Sequence, residues 1–204
     1  MTSSAPVKLQ DRAKRNARKR DEKKALIAES ALRALQELGY ANTSLRDIAA
    51  KSDLSLGMLH YYFEDKTQLI IYCVSAYKSA FTHKIRAALD GVSGRTAVID
   101  AFAGVLAASI VDDSATHRLW YDIRAQALFD PAFRGVVQDV EAMLIAVTRL
   151  AGTLAGKPSD QISELDYAVI DGAFRYLMQK QITETVQAQG ELASELRAVL
   201  NKLL

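Results

Sequence analysis

Cysteine, proline and histidine are all scarce in this chain of 204 residues, which has one, three and three of them. A lone Cys73 excludes an intramolecular disulfide and points to a reducing compartment. With only three prolines and ten glycines, long stretches run without a breaker, so long helices are expected. No run of 18 or more apolar residues exists, which argues against a membrane-spanning helix. The charged N-terminus also lacks the apolar segment of a secretory signal. A cytoplasmic protein without a membrane partner is the expectation.

The scarcity extends to catalytic chemistry. His60, His83 and His117 have no second ligand at metal-binding spacing, and neither H-x-x-x-H nor C-x-x-C occurs. Serines and histidines are too dispersed for a nucleophilic triad. Gly156-Lys157-Pro158-Ser159 lacks the preceding strand and glycine run of a phosphate loop. These absences point to no metal, no cofactor and no enzyme.

What the chain does have is an uneven charge. Residues 1–66 hold thirteen Lys/Arg against nine Asp/Glu, while the remainder holds thirteen against fifteen. Nine of the basic residues fall within the first 24, Arg15, Arg18 and Lys19 among them. A basic end on a near-neutral body suits a polyanionic partner. Residues 1–20 read as a flexible basic arm, either a solvated tail or a segment that reaches the minor groove or backbone of DNA.

Apolar residues recur at helical spacing almost throughout, and no strand-like alternation is seen. The fold class expected is all-α, about nine helices. The first runs from about Asp21 to Leu38, with Ile27, Ala31, Leu35 and Leu38 as its stripe and Gly39 as its stop. Later helices are expected over about 66–89 and 96–111. A turn at Asp112-Asp113-Ser114 precedes the next one, then come 131–154, 160–189 and 191–203, the last two split by Gly190. The expected division is an arm (1–20), a helix-turn-helix domain (21–66) and a larger effector-binding and dimerisation domain (67–204).

Between Ser44 and Phe63 lie two short helices joined by a tight turn. Ser44 with Asp47 has capping-box spacing, and Ser55 caps the second helix. Asp53 sits in the turn and tolerates a left-handed backbone. Leu59, Tyr62 and Phe63 are expected to pack inward, which leaves Leu56, Gly57, Met58, His60 and Tyr61 towards base edges and nearby phosphates. Met58 has packing on the core as its alternative. Thr43 and Ser44 before the first helix, Arg46 on it, and Lys66 after the second supply expected phosphate contacts. Double-stranded DNA is the partner this pattern fits.

At these residues the chain resembles the N-terminal domain of TetR-type transcriptional regulators. The resemblance rests on Gly39-Tyr40, Thr43-Ser44, Ile48-Ala49, Tyr62-Phe63 and Lys66 with Leu69. His60-Tyr61-Tyr62-Phe63-Glu64-Asp65-Lys66 is also similar to the family's choline-responsive betaine-pathway subgroup. The resemblance implies a homodimeric, all-helical regulator whose C-terminal domain binds a small-molecule effector. Three positions depart from the family pattern: Asp53 for the usual glycine, His60 for tyrosine, and Leu56 for a polar or basic residue.

Two further sites follow as expectations. The last two helices are the candidate dimer interface, with Leu192, Leu196, Val199, Leu200 and Leu203 on one and Ala168, Gly172, Ala173 and Tyr176 on the other. An unidentified effector is placed among Tyr77, Phe81, Phe102, Trp120, Tyr121 and Phe174, with His117 and Arg124 as polar groups. The reading is a repressor that binds a palindromic operator as a dimer and is released by a small molecule. The competing reading is a helical ligand-binding or interaction protein without sequence-specific DNA binding.

Overall fold

The computed structural model describes residues 5–40, 43–184 and 186–204, and every regular element among them is helical. In chain order these are α1 (Ala5–Leu38), α2 (Leu45–Lys51), α3 (Leu56–Tyr62), α4 (Lys66–Leu89), α5 (Arg95–Gln126), α6 (Arg134–Leu154), α7 (Glu164–Thr183) and α8 (Gln189–Leu203). Short 3-10 turns occupy Pro131–Phe133 and Ser159–Gln161. The chain divides into two compact units, one ending at Cys73 and the other starting at Val74, so α4 contributes residues to both.

In the first unit α1 buries Ile27, Ala28, Ala31, Ala34 and Leu35, while α2 buries Leu45 and Ile48 and α3 buries Leu59. Phe63, Leu69, Ile70 and Cys73 complete this core. Burial pushes the Cys73 thiol up to about 12, and it donates weakly to the Ala28 carbonyl, so it behaves as a small hydrophobe. Leu38, expected in the buried stripe, is exposed. Gly39 ends the helix at φ 74°, a backbone that a side chain would strain.

The expected flexible arm is helical from Ala5 onward; its first four residues lie outside the described ones. Ala, Lys, Arg and Gln dominate 5–20, all strong helix formers, and Pro6 sits in the first turn, where its missing amide has no helical partner to lose. The turn between α2 and α3 also differs from expectation. No described non-glycine residue has a positive φ, so Asp53 takes no left-handed backbone, and Ser52 and Ser55 are extended instead.

In the second unit α5 runs unbroken for 32 residues, about 48 Å at 1.5 Å per residue. The turn expected at Asp112-Asp113-Ser114 is absent. Ser109 and Ile110 before it and Thr116 and His117 after it are buried, and Lys84 pairs with Asp113 at 3.2 Å. Packing on both sides outweighs the local preference of Asp and Ser for caps. α7 ends at Thr183 and α8 begins at Gln189, so the break precedes Gly190, which lies inside α8. Gln181 makes this break: its amide donates to the Gln187 carbonyl and its oxygen accepts from the Gln187 amide. Gly152 on α6 is required by close approach, since a Cβ there would lie 2.5 Å from the Ile162 side chain.

Candidate functional site

The candidate site of the first unit is built on α2 and α3. Ser44 accepts from the Asp47 amide at 3.2 Å while the Asp47 carboxylate accepts from the Ser44 amide at 2.8 Å, closing the expected capping box. Hydrogen bonds from the Ser44 hydroxyl and amide hold the Asp47 carboxyl below its ordinary value. Ser55 caps α3 by accepting from the Met58 amide at 3.1 Å. With Leu59 buried, the opposite face of α3 presents Gly57, His60 and Tyr61 to solvent, Tyr61 being 69% exposed. Leu56 and Met58 are half-buried, so they contribute to both faces.

The basic residues of α1 reach the same region. Arg15, Arg18 and Lys19 are exposed, Arg18 pairing with Glu22, and the Arg20 guanidinium lies 5.9 Å from the Tyr61 ring. Arg46 is exposed on α2. Two expected phosphate ligands are placed differently. Thr43 is buried and donates its hydroxyl to the Gly39 carbonyl at 2.6 Å, so it secures the end of α1. Lys66 is half-buried, donating to the Tyr40 carbonyl at 3.2 Å with its ammonium 4.5 Å from the Tyr40 ring centroid. Serving the protein's own carbonyl in this way ties the start of α4 to Tyr40, just past the end of α1.

The second site is a narrow cavity of about 40 Å³, room for about three water molecules. Of the residues expected around an effector, Phe81, Phe102, Tyr121 and Phe174 line it. Tyr77, His117, Trp120 and Arg124 do not line it. His117 is fully buried, with Nε2 2.7 Å from both the Tyr77 hydroxyl and Ser109 Oγ. Its Nδ1 lies 3.2 Å from Lys78 Nζ. When Lys78 is charged its ammonium only donates, so Nδ1 then accepts and the ring proton sits on Nε2. Burial, reinforced by the Lys78 charge, keeps the imidazole neutral well below its ordinary range. Trp120 is core, and Arg124 bridges Asp171 and Glu141 at 2.5 and 2.8 Å.

Lys78, Thr148, Tyr167 and Asp171 also line the cavity and were not anticipated. Lys78 is only 2% exposed, its Nζ 5.1–5.5 Å from the ring centroids of Tyr77, Phe81 and Trp120. Burial pulls its ammonium down to about 7, partly opposed by Asp171. Asp171 accepts from the Tyr121 hydroxyl at 2.9 Å and from Arg124. The Tyr167 hydroxyl is buried with no hydrogen-bond partner among the described residues.

The expected dimer residues fall into two groups. Leu192, Leu196 and Leu200 are buried within the chain, and Val199 and Leu203 are half-buried, because α8 lays its apolar face on α5 and α7. Those leucines are core and not a free interface. Ala168, Gly172 and Tyr176 on α7 are exposed and Ala173 is half-buried, alongside Leu165 at 74% and Val169 at 51% exposure. Among the described residues no helix is long and apolar enough to cross a membrane.

Residues 27–73 match the model of the bacterial regulatory proteins of the tetR family. The HTH-type transcriptional regulator YuxN of Bacillus subtilis is 35% identical over 77 residues, 37% of this chain but only about a quarter (26%) of YuxN's own length. PksA of the same organism, also an HTH-type transcriptional regulator, is 23% identical over 78% of this chain and 80% of its own. The structure of Salmonella enterica GusR superposes with a TM-score of 0.67 at 21% identity, covering 89% of this chain and 94% of that one, a likeness of fold. From α1 to the start of α4 the chain thus carries the N-terminal domain of the tetR family of bacterial regulatory proteins.

Proposed function

We propose that the chain is a cytoplasmic repressor that binds a palindromic operator as a dimer and is released by a small molecule. The observation that carries this reading is α3: a short capped helix held by Leu59 on one side, with Gly57, His60 and Tyr61 exposed on the other. A helix so presented fits the major groove, while the exposed basic residues of α1 supply phosphate attraction. Ser44, Arg46 and Ser55 flank it as phosphate contacts, and Lys66 takes part through the ammonium hydrogens that Tyr40 leaves unused.

A gel-shift with the DNA flanking its own coding sequence tests this. The chain should retard a subset of fragments at low and moderate salt. His60→Ala or Tyr61→Ala should weaken that binding about tenfold or more, as loss of a groove contact does. Equal retardation of every fragment, or unchanged affinity in both variants, would overturn the reading.

Dimerisation fits the exposed apolar stripe of α7, where Leu165, Val169 and Tyr176 flank the small Ala168, Gly172 and Ala173. Small residues let two copies of the helix approach closely, and a two-fold contact of this kind presents two reading helices to a palindrome. Val169→Asp would place an unpaired charge in that contact. Sedimentation should show dimerisation weakened about thirtyfold or more, the fold equivalent of about 2 kcal/mol or more. A dimer of unchanged strength would remove α7 from the interface.

The effector reading rests on the cavity of the second unit. Lys78, Phe81 and Ile85 of its wall belong to α4, the same helix that begins at Lys66. A ligand that favours one placement of α4 would bias operator binding through that continuous helix.

A further inference from the structure

We propose that the cavity beside Lys78 takes a small organic anion, a carboxylate on a short apolar body, with the acid group paired to the Lys78 ammonium. This deepens the reading of the second unit as effector-binding and rests on it. Three observations converge. Lys78 is buried, lines the cavity, and donates to His117 alone among the described hydrogen bonds; no described carboxylate forms an ion pair with it. Its nearest electrostatic counterweight, Asp171, is already engaged by Arg124 and the Tyr121 hydroxyl. A lysine has three donors, so Lys78 retains two for a ligand.

The second observation is Tyr167, 93% buried, lining the same cavity with a hydroxyl that has no hydrogen-bond partner among the described residues. Buried hydroxyls are nearly always satisfied, so an orphan facing a cavity indicates an absent partner that accepts or donates there. The third is the remaining wall, in which Phe102, Leu106, Leu144, Val147, Ile170 and Phe174 are apolar. An apolar lining with a few placed polar groups is the pattern of a small-molecule site.

The sign of the ligand follows from the charges that face Lys78. Asp171 on α7, the one carboxylate lining the cavity, is ion-paired with Arg124 on α5; Glu141 on α6, the second carboxylate on that arginine, does not line the cavity and is partly exposed to solvent; His117 on α5 is neutral; Tyr77, Tyr121 and Tyr167 are held protonated by burial. A cationic ligand would meet the Lys78 ammonium. The aromatic faces that would serve a quaternary amine are turned to Lys78 itself, at Tyr77, Phe81 and Trp120. A neutral ligand would leave the ammonium desolvated and unpaired, which is the costly state. An anion alone relieves it.

Trp120, the chain's single tryptophan, reports the pairing, because Lys78 Nζ lies 5.1 Å from its ring. Full-length protein without DNA would be titrated with acetate, propionate and butyrate, with butyramide and butylamine as neutral and cationic counterparts, following Trp120 emission and heat. Saturable binding of at least one acid is expected, with butyramide and butylamine about tenfold weaker or undetectable, the fold equivalent of one charge-assisted hydrogen bond. Lys78→Met keeps the volume, and should lose the acid about tenfold or more while remaining folded by circular dichroism. Failure of all three acids to bind, or equal binding by Lys78→Met, would overturn the proposal. Acid binding that leaves DNA retardation unchanged would uphold the anion site and remove its role as effector, so the two readings fail separately.

Discussion

Phe63→Ala should lower the stability of the first unit by about 3–5 kcal/mol, the usual range for truncating a fully buried phenylalanine. Phe63 is 1% exposed at the end of α3, its ring 5.7 Å from Tyr72 and 5.0 Å from the Lys24 ammonium. Its amide closes α3 by donating to Leu59 at 2.9 Å. The ring therefore fixes where α3 ends relative to α1 and the start of α4, and its removal leaves a cavity among them. Denaturant titration followed by far-UV ellipticity should show an early transition absent from the wild type. Operator retardation should disappear with it. A coincident, unshifted transition would mean that the domain closes over the missing ring, and would withdraw Phe63 as the support of the reading helix.

The second large effect concerns Lys78 and pH. Its ammonium, ordinarily near 10.5, is drawn down to about 7 by burial. Between about pH 7 and pH 10.5 the unfolded chain therefore holds a proton that the folded chain has released. Stability rises with pH wherever the unfolded state binds more protons, at up to about 1.4 kcal/mol per pH unit for one group. Below pH 7 both states carry the charge and the full penalty stands. His117 adds to the acid side, since the unfolded imidazole protonates below about pH 6.5 while the buried one resists. Lys78→Met removes the lysine contribution. The variant should be about 1–4 kcal/mol more stable than wild type at pH 7, as replacement of buried charge by apolar volume often is. The gap should narrow by pH 10. Thermal unfolding at pH 6.5, 8 and 9.5 measures it, and the difference between the two proteins isolates Lys78 from other groups. A gap independent of pH would mean that Lys78 stays charged throughout in the folded state.

Much of the first unit was legible in the residues themselves. The capping box of Ser44 and Asp47, the cap of Ser55 and the stop at Gly39 are local devices, each complete within a turn of helix, and each stands where its spacing puts it. Thr43 and Lys66 were harder. Their side-chain types suit phosphate, but the partners they use, Gly39 and Tyr40, are set by how the chain folds back after α1. In the cavity, four aromatic residues were anticipated and four polar ones were not. A signal for Lys78 did exist: it stands in the stripe of Val74, Phe81 and Ile85, all buried, at the spacing of one helical face. Lysine on a helix usually reaches water along its own stem, so its residue type argues against burial at that position.

By itself the sequence determined the helical class, the capped pair with its exposed α3 face, the basic first helix as a charge if not as a helix, and the family to which that domain belongs. Period, caps and charge act over one or two turns and need no distant partner. Tertiary structure alone decided the rest: that α5 passes unbroken through Asp112 and Asp113, that Leu192, Leu196 and Leu200 close the core while α7 keeps an apolar stripe in solvent, and that Lys78 lies buried without a carboxylate ion pair. Those outcomes depend on which apolar faces meet, a competition among long-range contacts that outweighs the fraction of a kcal/mol with which each residue prefers its local conformation.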